Sequence, residues 1–81
     1  MELSVRLFAG LTCGNPALTC FGERSFRLEV PAGTTIADLR GILAIDPAMP
    51  LLCMVNHRHE PEGRVLDDND QVGMFPPIGG G

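Results

Sequence analysis

Between residues 26 and 43 the chain changes its hydrophobic period, and that change constrains the fold more than any other feature. Phe26, Leu28 and Val30 alternate with Arg27 and Glu29, the period of a half-buried strand. Pro31-Ala32-Gly33 breaks the alternation, and Ile36, Leu39, Ile42 and Leu43 then recur at helical spacing. Thr35 is placed to cap this helix, and Asp38 three positions on completes a capping-box-like start and favours the positive end of the dipole. Pro47 disfavours helical backbone at Asp46, so a helix of about three turns is expected to stop near Ile45.

The flanking segments read as strands and turns. Leu3, Val5 and Leu7 alternate with Ser4 and Arg6 over residues 3–8. Residues 12–23 carry Gly14, Asn15, Pro16 and Gly22 and form a loop, so strands one and two are expected to pair as an antiparallel hairpin. LLCMVN, residues 51–56, is a short apolar run consistent with a strand buried on at least one face. Residues 57–63 read as a polar turn, Arg64-Val65-Leu66 as a brief edge strand, Asp67 to Asp70 as a tight acidic turn, and Gln71 to Phe75 as the last strand.

One helix among four to five strands predicts an α+β domain with a mixed sheet and the helix packed across one face. The first and last strands are then expected as parallel neighbours at the centre. In that arrangement Val72 and Met74 face the helix with Val5 and Leu7. Phe8 and Phe75 fall on the open face, either as an exposed apolar pair of the kind that marks a partner site or as cover for the sheet edge.

Composition narrows the function. All six basic residues are arginines, scattered in a chain of net charge −4, so nothing resembles a nucleic-acid footprint. No apolar run approaches the roughly 20 residues that cross a bilayer, and MELSVRLF lacks the pattern of a signal peptide, so no membrane partner and a cytoplasmic location are expected. Three cysteines, an odd number, argue against a disulfide framework. Cys53 reads as a small buried hydrophobe. Cys13 and Cys20 lie in the loop; with His57 and His59 they would number four potential ligands, but the C-x6-C spacing does not match common zinc motifs, so no metal is expected. The His57-Arg58-His59 turn reads as a solvated loop.

The chain closes on MFPPIGGG, a segment that can bury almost nothing. The domain is therefore expected over residues 1–75, with a tail over 76–81. Pro76 and Pro77 fix φ and favour an extended stalk, whereas Gly79 to Gly81 can thread a narrow channel.

The stretches RLFAG (6–10), LEVPAGTTIADLRGIL (28–43), Val55-Asn56 and LDDNDQVGMFPPIGGG (66–81) together resemble the β-grasp, ubiquitin-like sulfur-carrier family. Within it the nearest branch is the small subunit of molybdopterin synthase, and the thiamine-pathway sulfur carrier is the sister branch. The chain departs from the family after strand one: a helix and an Arg-Glu pair are common there, where this chain has a loop with Cys13 and Cys20. The resemblance implies a β-grasp fold and a carrier that is not itself an enzyme. An E1-like adenylating enzyme would transfer AMP from ATP to the carboxylate of Gly81, and a sulfur nucleophile would then displace AMP to leave a thiocarboxylate. Pro76, Pro77, Ile78, Gly79 and Gly80 would present that terminus, and Phe8 and Phe75 would form the partner interface. No cofactor is expected on the chain, since the ATP belongs to the activating enzyme. The partner implied is the large subunit of molybdopterin synthase, or thiazole synthase in the thiamine branch. A carrier for another sulfur-containing metabolite, a protein modifier joined to lysines through Gly81 and a non-transferring interaction module are the remaining alternatives. β-Grasp ferredoxins are excluded, because their cluster needs four cysteines.

Overall fold

The structure, a computed structural model, describes residues 1–76. Its elements follow in the order β1 (Glu2–Leu7), β2 (Ser25–Glu29), α1 (Ile36–Ile42), β3 (Leu52–Val55), β4 (Arg58–His59) and β5 (Gln71–Phe75). The strands form one five-stranded sheet in the order β2-β1-β5-β3-β4. Only the β1–β5 pair is parallel, with Val5 opposite Val72 and Leu7 opposite Met74. β1 and β2 form the expected hairpin, with Leu3 opposite Leu28 and Val5 opposite Phe26.

Strand alternation divides the sheet into two faces. Leu3, Val5, Leu7, Cys53, Val55, Val72 and Met74 are all buried in one cluster with Ile36, Leu39 and Leu43 of the helix region. A core of this composition is what the period change at Pro31 predicts: alternating apolar residues on the strands meet the single apolar stripe of the helix.

The capping box is present in full. Thr35 Oγ1 accepts from the Asp38 N–H at 3.1 Å, and Asp38 Oδ2 accepts from the Thr35 N–H at 3.1 Å. The far end of the helix corrects the expectation, since α1 stops at Ile42 rather than near Ile45. Pro47 is not the cause. Ala44 takes a left-handed conformation (φ 54°), its N–H bonds to the Gly41 carbonyl at 3.1 Å, and the Ile45 N–H reaches back to Arg40 at 3.2 Å. That pair of bonds is a Schellman closure. The loop after β1 completes it: the Gly14 N–H donates to the Leu43 carbonyl at 2.8 Å and Asn15 Nδ2 to the Ile42 carbonyl at 2.8 Å. Just beyond, the buried Arg40 guanidinium donates to the carbonyls of Asp46 and Met49 and to Glu62.

A second correction concerns the short strand. It lies at Arg58–His59, within the stretch read as a turn, and not at Arg64-Val65-Leu66. Asn56 and His57 both adopt left-handed backbone (φ 51° and 71°), which makes a two-residue hairpin turn and returns the chain onto β3. Residues 62–66 instead serve the helix entrance. The carbonyls of Glu62 and Arg64 accept from the N–H groups of Ala37 and Ile36, and Val65 makes an isolated bridge with Thr35.

The acidic turn is organised by Asp70, which is buried. Its carboxylate accepts from the Asp67 N–H at 2.8 Å, from Asn56 Nδ2 at 2.8 Å and from Arg64 Nη1 at 3.2 Å. Burial alone would push the Asp70 carboxyl up, but these hydrogen bonds and the Arg64 charge outweigh it and hold it below the ordinary aspartate value.

Two outcomes follow. Asp70→Ala leaves three donors without their acceptor and lowers stability by about 2–3 kcal/mol in urea unfolding. The Asp70 contribution is fully present above the unfolded-state value of about 4, and it is lost as pH falls through the lower folded-state value. The wild-type urea midpoint should therefore drop in that acid range by more than the midpoint of Asp70→Asn. Ala44→Gly removes the Cβ penalty at the left-handed cap and raises stability by about 0.5–1 kcal/mol in the same assay.

Candidate functional site

The face of the sheet away from the helix is open. Ser4 and Arg6 of β1, Gln71, Gly73 and Phe75 of β5, and Leu52 and Met54 of β3 share it by alternation. At its centre stands a residue with no side chain: Gly73 lies opposite Arg6 on one side and Met54 on the other. The absent side chain leaves a hollow on a central strand, where a β-branched residue would ordinarily stand.

Phe8 leans over this hollow. The β1 ladder continues one residue past the strand, through the Phe8 N–H to the Met74 carbonyl at 3.1 Å, which fixes the start of the side chain. A Cβ added at Gly73 would sit 3.4 Å from Phe8 Cε2, ordinary contact distance. The Phe8 ring meets Phe75 edge to face, with centroids 6.0 Å apart and an interplanar angle of 88°. Phe8 is 43% exposed and Leu52, paired with Phe75, is 40% exposed, so the apolar end of this face is largely open to solvent.

These residues border a groove of about 800 Å³ that runs along the open face. Phe8, Phe75 and Pro76 mark one end, and Gln71 and His57 lie towards the other. Its lining is mainly apolar, with Ser4, Arg6, Ser25, His57 and Gln71 as its polar side chains. Such a surface suits the docking of a protein face.

Of the residues expected to carry function, Phe8 and Phe75 are brought together as anticipated, and Pro76 joins them at the groove's end. Pro77, Ile78, Gly79, Gly80 and Gly81 lie outside the described residues. Sequence reasoning missed Gly73 and Met54, although the alternation in QVGMF already put Gly73 on the face of Phe75. It also missed His57, which reaches the groove because its hairpin turn folds back onto β3. Cys13 and Cys20 are buried together with their sulfurs 3.1 Å apart. Among the described residues no cluster of three or more His, Cys, Asp or Glu side chains is placed to hold a metal ion.

Comparison with known proteins agrees with this fold. The family model described as the ThiS family matches residues 15–81. The chain belongs to the ThiS family. Three solved structures share its β-grasp fold. SAMP1 from Haloferax volcanii superposes with a TM-score of 0.69 at 20% identity, covering 100% of both chains. A putative molybdopterin converting factor subunit 1 from Pyrococcus furiosus gives 0.66 at 23% identity over 95% of this chain and 98% of that one. A molybdopterin-converting factor from Helicobacter pylori, solved as a complex of its subunits 1 and 2, gives 0.60 at 21% identity over 100% of both chains. The ThiS-family chain is thus a small protein with the ubiquitin-like β-grasp fold.

If the aromatic pair is surface rather than core, its removal is cheap. Phe8→Ala should cost about 1 kcal/mol in urea unfolding, the worth of an exposed aromatic contact. Met74→Ala, in the core beneath, should cost about 2–5 kcal/mol.

Proposed function

We propose that this ThiS-family chain is a sulfur carrier that works through the carboxylate of Gly81, as the small subunit of a molybdopterin synthase. The observation that supports this most is where the apolar end of the open face lies. Phe8, Leu52 and Phe75 cluster at the end of β5 from which Pro76 leads into the Gly-Gly-Gly terminus. A partner that docks on this end stands next to the root of the tail.

The chemistry asks little of the carrier's side chains. The Gly81 carboxylate is a poor electrophile until its oxygen attacks the α-phosphate of ATP on the activating enzyme, releasing pyrophosphate and forming an acyl-adenylate. A hydrosulfide equivalent then attacks the carbonyl carbon, the bond to AMP breaks, and the thiocarboxylic acid formed loses its proton. When the sulfur passes to an acceptor, water restores the carboxylate. Glycine at the end of the chain admits the terminus to a narrow site. The docking energy comes from the open face, and the reacting groups around the carbonyl come from the partners.

The molybdopterin assignment draws on the Phe75-Pro76-Pro77-Ile78 pattern and on the Helicobacter pylori relative, which is solved with its second subunit. Co-purification with the large synthase subunit supports that pathway, whereas co-purification with thiazole synthase would move the carrier to the thiamine branch. The SAMP1 likeness keeps protein modification as the second reading. Lysine-linked adducts of tagged protein in cells would favour it, and a single unconjugated band would count against it.

The direct test is an intact mass after incubation with the cognate activating enzyme, ATP and a sulfur source. Exchange of one carboxylate oxygen for sulfur adds about 16 Da to the mass of the unmodified chain. Deletion of Gly81 should abolish the gain while leaving the unfolding midpoint unchanged. Phe8→Ala should weaken partner binding about tenfold or more, as expected for an aromatic anchor. An unmodified wild-type mass in the presence of active enzyme would refute the carrier reading.

A further inference from the structure

The loop between β1 and β2 holds the chain's least expected chemistry. Cys13 and Cys20 are 1% and 4% exposed, and the Cys20 thiol points at the Cys13 sulfur at 3.1 Å. This juxtaposition is built by the backbone rather than by the thiols. The Cys13 N–H donates to the Glu23 carbonyl at 3.0 Å, and the Cys13 carbonyl accepts from the Gly22 N–H at 2.8 Å. The Cys20 carbonyl in turn accepts from the Glu23 N–H at 2.8 Å. Both cysteines are therefore tied to the same short stretch, residues 20–23. Closing a disulfide needs the sulfurs to approach by only about 1 Å, to the bond length of about 2.0 Å.

We propose that Cys13 and Cys20 are a redox modification site: an intrachain disulfide that forms reversibly and staples the β1–β2 loop. The inference is independent of the carrier reading. The staple has a defined mechanical target, because the segment between the two cysteines includes Asn15 and Gly14, whose donors close the end of α1. Locking the loop thus holds the helix cap as well.

The oxidant is a low-molecular-weight disulfide such as oxidised glutathione. One cysteine thiolate attacks it, forming a mixed disulfide and releasing one glutathione thiolate. The second cysteine attacks the protein sulfur of that mixed disulfide and releases the other. Two electrons leave the cysteine pair, and its two protons end on the two glutathione thiols. Exchange is slow near neutral pH, since burial and the Cys13 contact push the Cys20 thiol up to about 11, and thiolate is scarce. Cys53, buried in β3, is the internal control.

The test uses the whole chain, incubated with oxidised glutathione at pH 8 and then unfolded in denaturant and alkylated without reduction. The expected product has lost about 2 Da before alkylation, as thiol–disulfide exchange requires. It should accept one alkyl group where the reduced chain accepts three, and should give a Cys13–Cys20 cross-linked peptide on proteolysis. Its thermal midpoint should rise, and dithiothreitol should reverse the shift. Cys53→Ala should behave identically, whereas Cys20→Ser should show neither cross-link nor shift. Three alkylated cysteines, a stable glutathione adduct, a bond involving Cys53, or a covalent dimer would each overturn the proposal; none of these readouts depends on a variant that must fold.

Discussion

The parallel pairing of β1 with β5 is the constraint on which the rest depends. A parallel pair cannot be joined by a tight turn, so nearly the whole chain must travel between its two strands. The helix, β3 and β4 are all laid down on that journey, and the last strand is inserted at the centre of the sheet. An inserted strand needs its register fixed at the point of entry. Asp70 supplies this: its carboxylate collects Asp67, Asn56 and Arg64, while its carbonyl accepts from the Ser4 N–H of β1 at 3.0 Å. One buried aspartate, through its carboxylate and its own carbonyl, therefore ties the acidic turn, the β3–β4 hairpin and the first strand immediately before β5 begins. A shift of one residue would exchange Val72 and Met74 for Gly73 and Phe75 on the core face, so this register also decides what the open face shows.

The two faces of β5 illustrate the division of labour. Val72 and Met74, at 2% and 0% exposure, are as buried as any residues in the domain. Between them Gly73 gives up the packing a side chain would offer on the other face, and the Phe8 ring, one residue past the neighbouring strand, borders the space left. A glycine in a central strand costs stability. What is gained is a hollow next to an aromatic pair, at the end of the sheet where the tail departs.

Much of this was legible in the sequence, for a physical reason in each case. Alternation at Val5, Leu7, Val72 and Met74 assigns the core face because burial acts residue by residue. The capping box at Thr35 and Asp38 is local chemistry, and it formed as read. The features that were missed depend on partners remote in sequence. The helix ends at Ile42 because Ala44 turns left-handed and Asn15 and Gly14, far up the chain, supply donors; Pro47 was a weaker signal than this closure. The edge strand lies at Arg58–His59 because Asn56-His57 makes a turn usually signalled by glycine. Arg64 to Leu66, extended in pattern, is used by the helix entrance. Arg40, one of several scattered arginines in the sequence, becomes a buried tie between α1 and the 46–49 segment only once both are in place.

Under the carrier proposal, energetics decide how large the docking face must be. Ordering Gly79, Gly80 and Gly81 in a partner's channel costs roughly 1–2 kcal/mol for each residue, or about 3–6 kcal/mol together. At about 25 cal/mol per Å² of apolar surface, offsetting that cost takes on the order of 120–240 Å² removed from water. Phe8, 43% exposed, has about 90 Å² of the roughly 200 Å² of an aromatic side chain still to bury. That is too little alone. With half-buried Phe75 and Met54 and the 40%-exposed Leu52 on the same face, the requirement comes within reach, but only if the whole apolar end is covered at once. The tail and the open face are thus coupled by free energy as well as by position: a partner that gripped the glycines without covering Phe8 and Leu52 would hold the terminus too weakly to act on it.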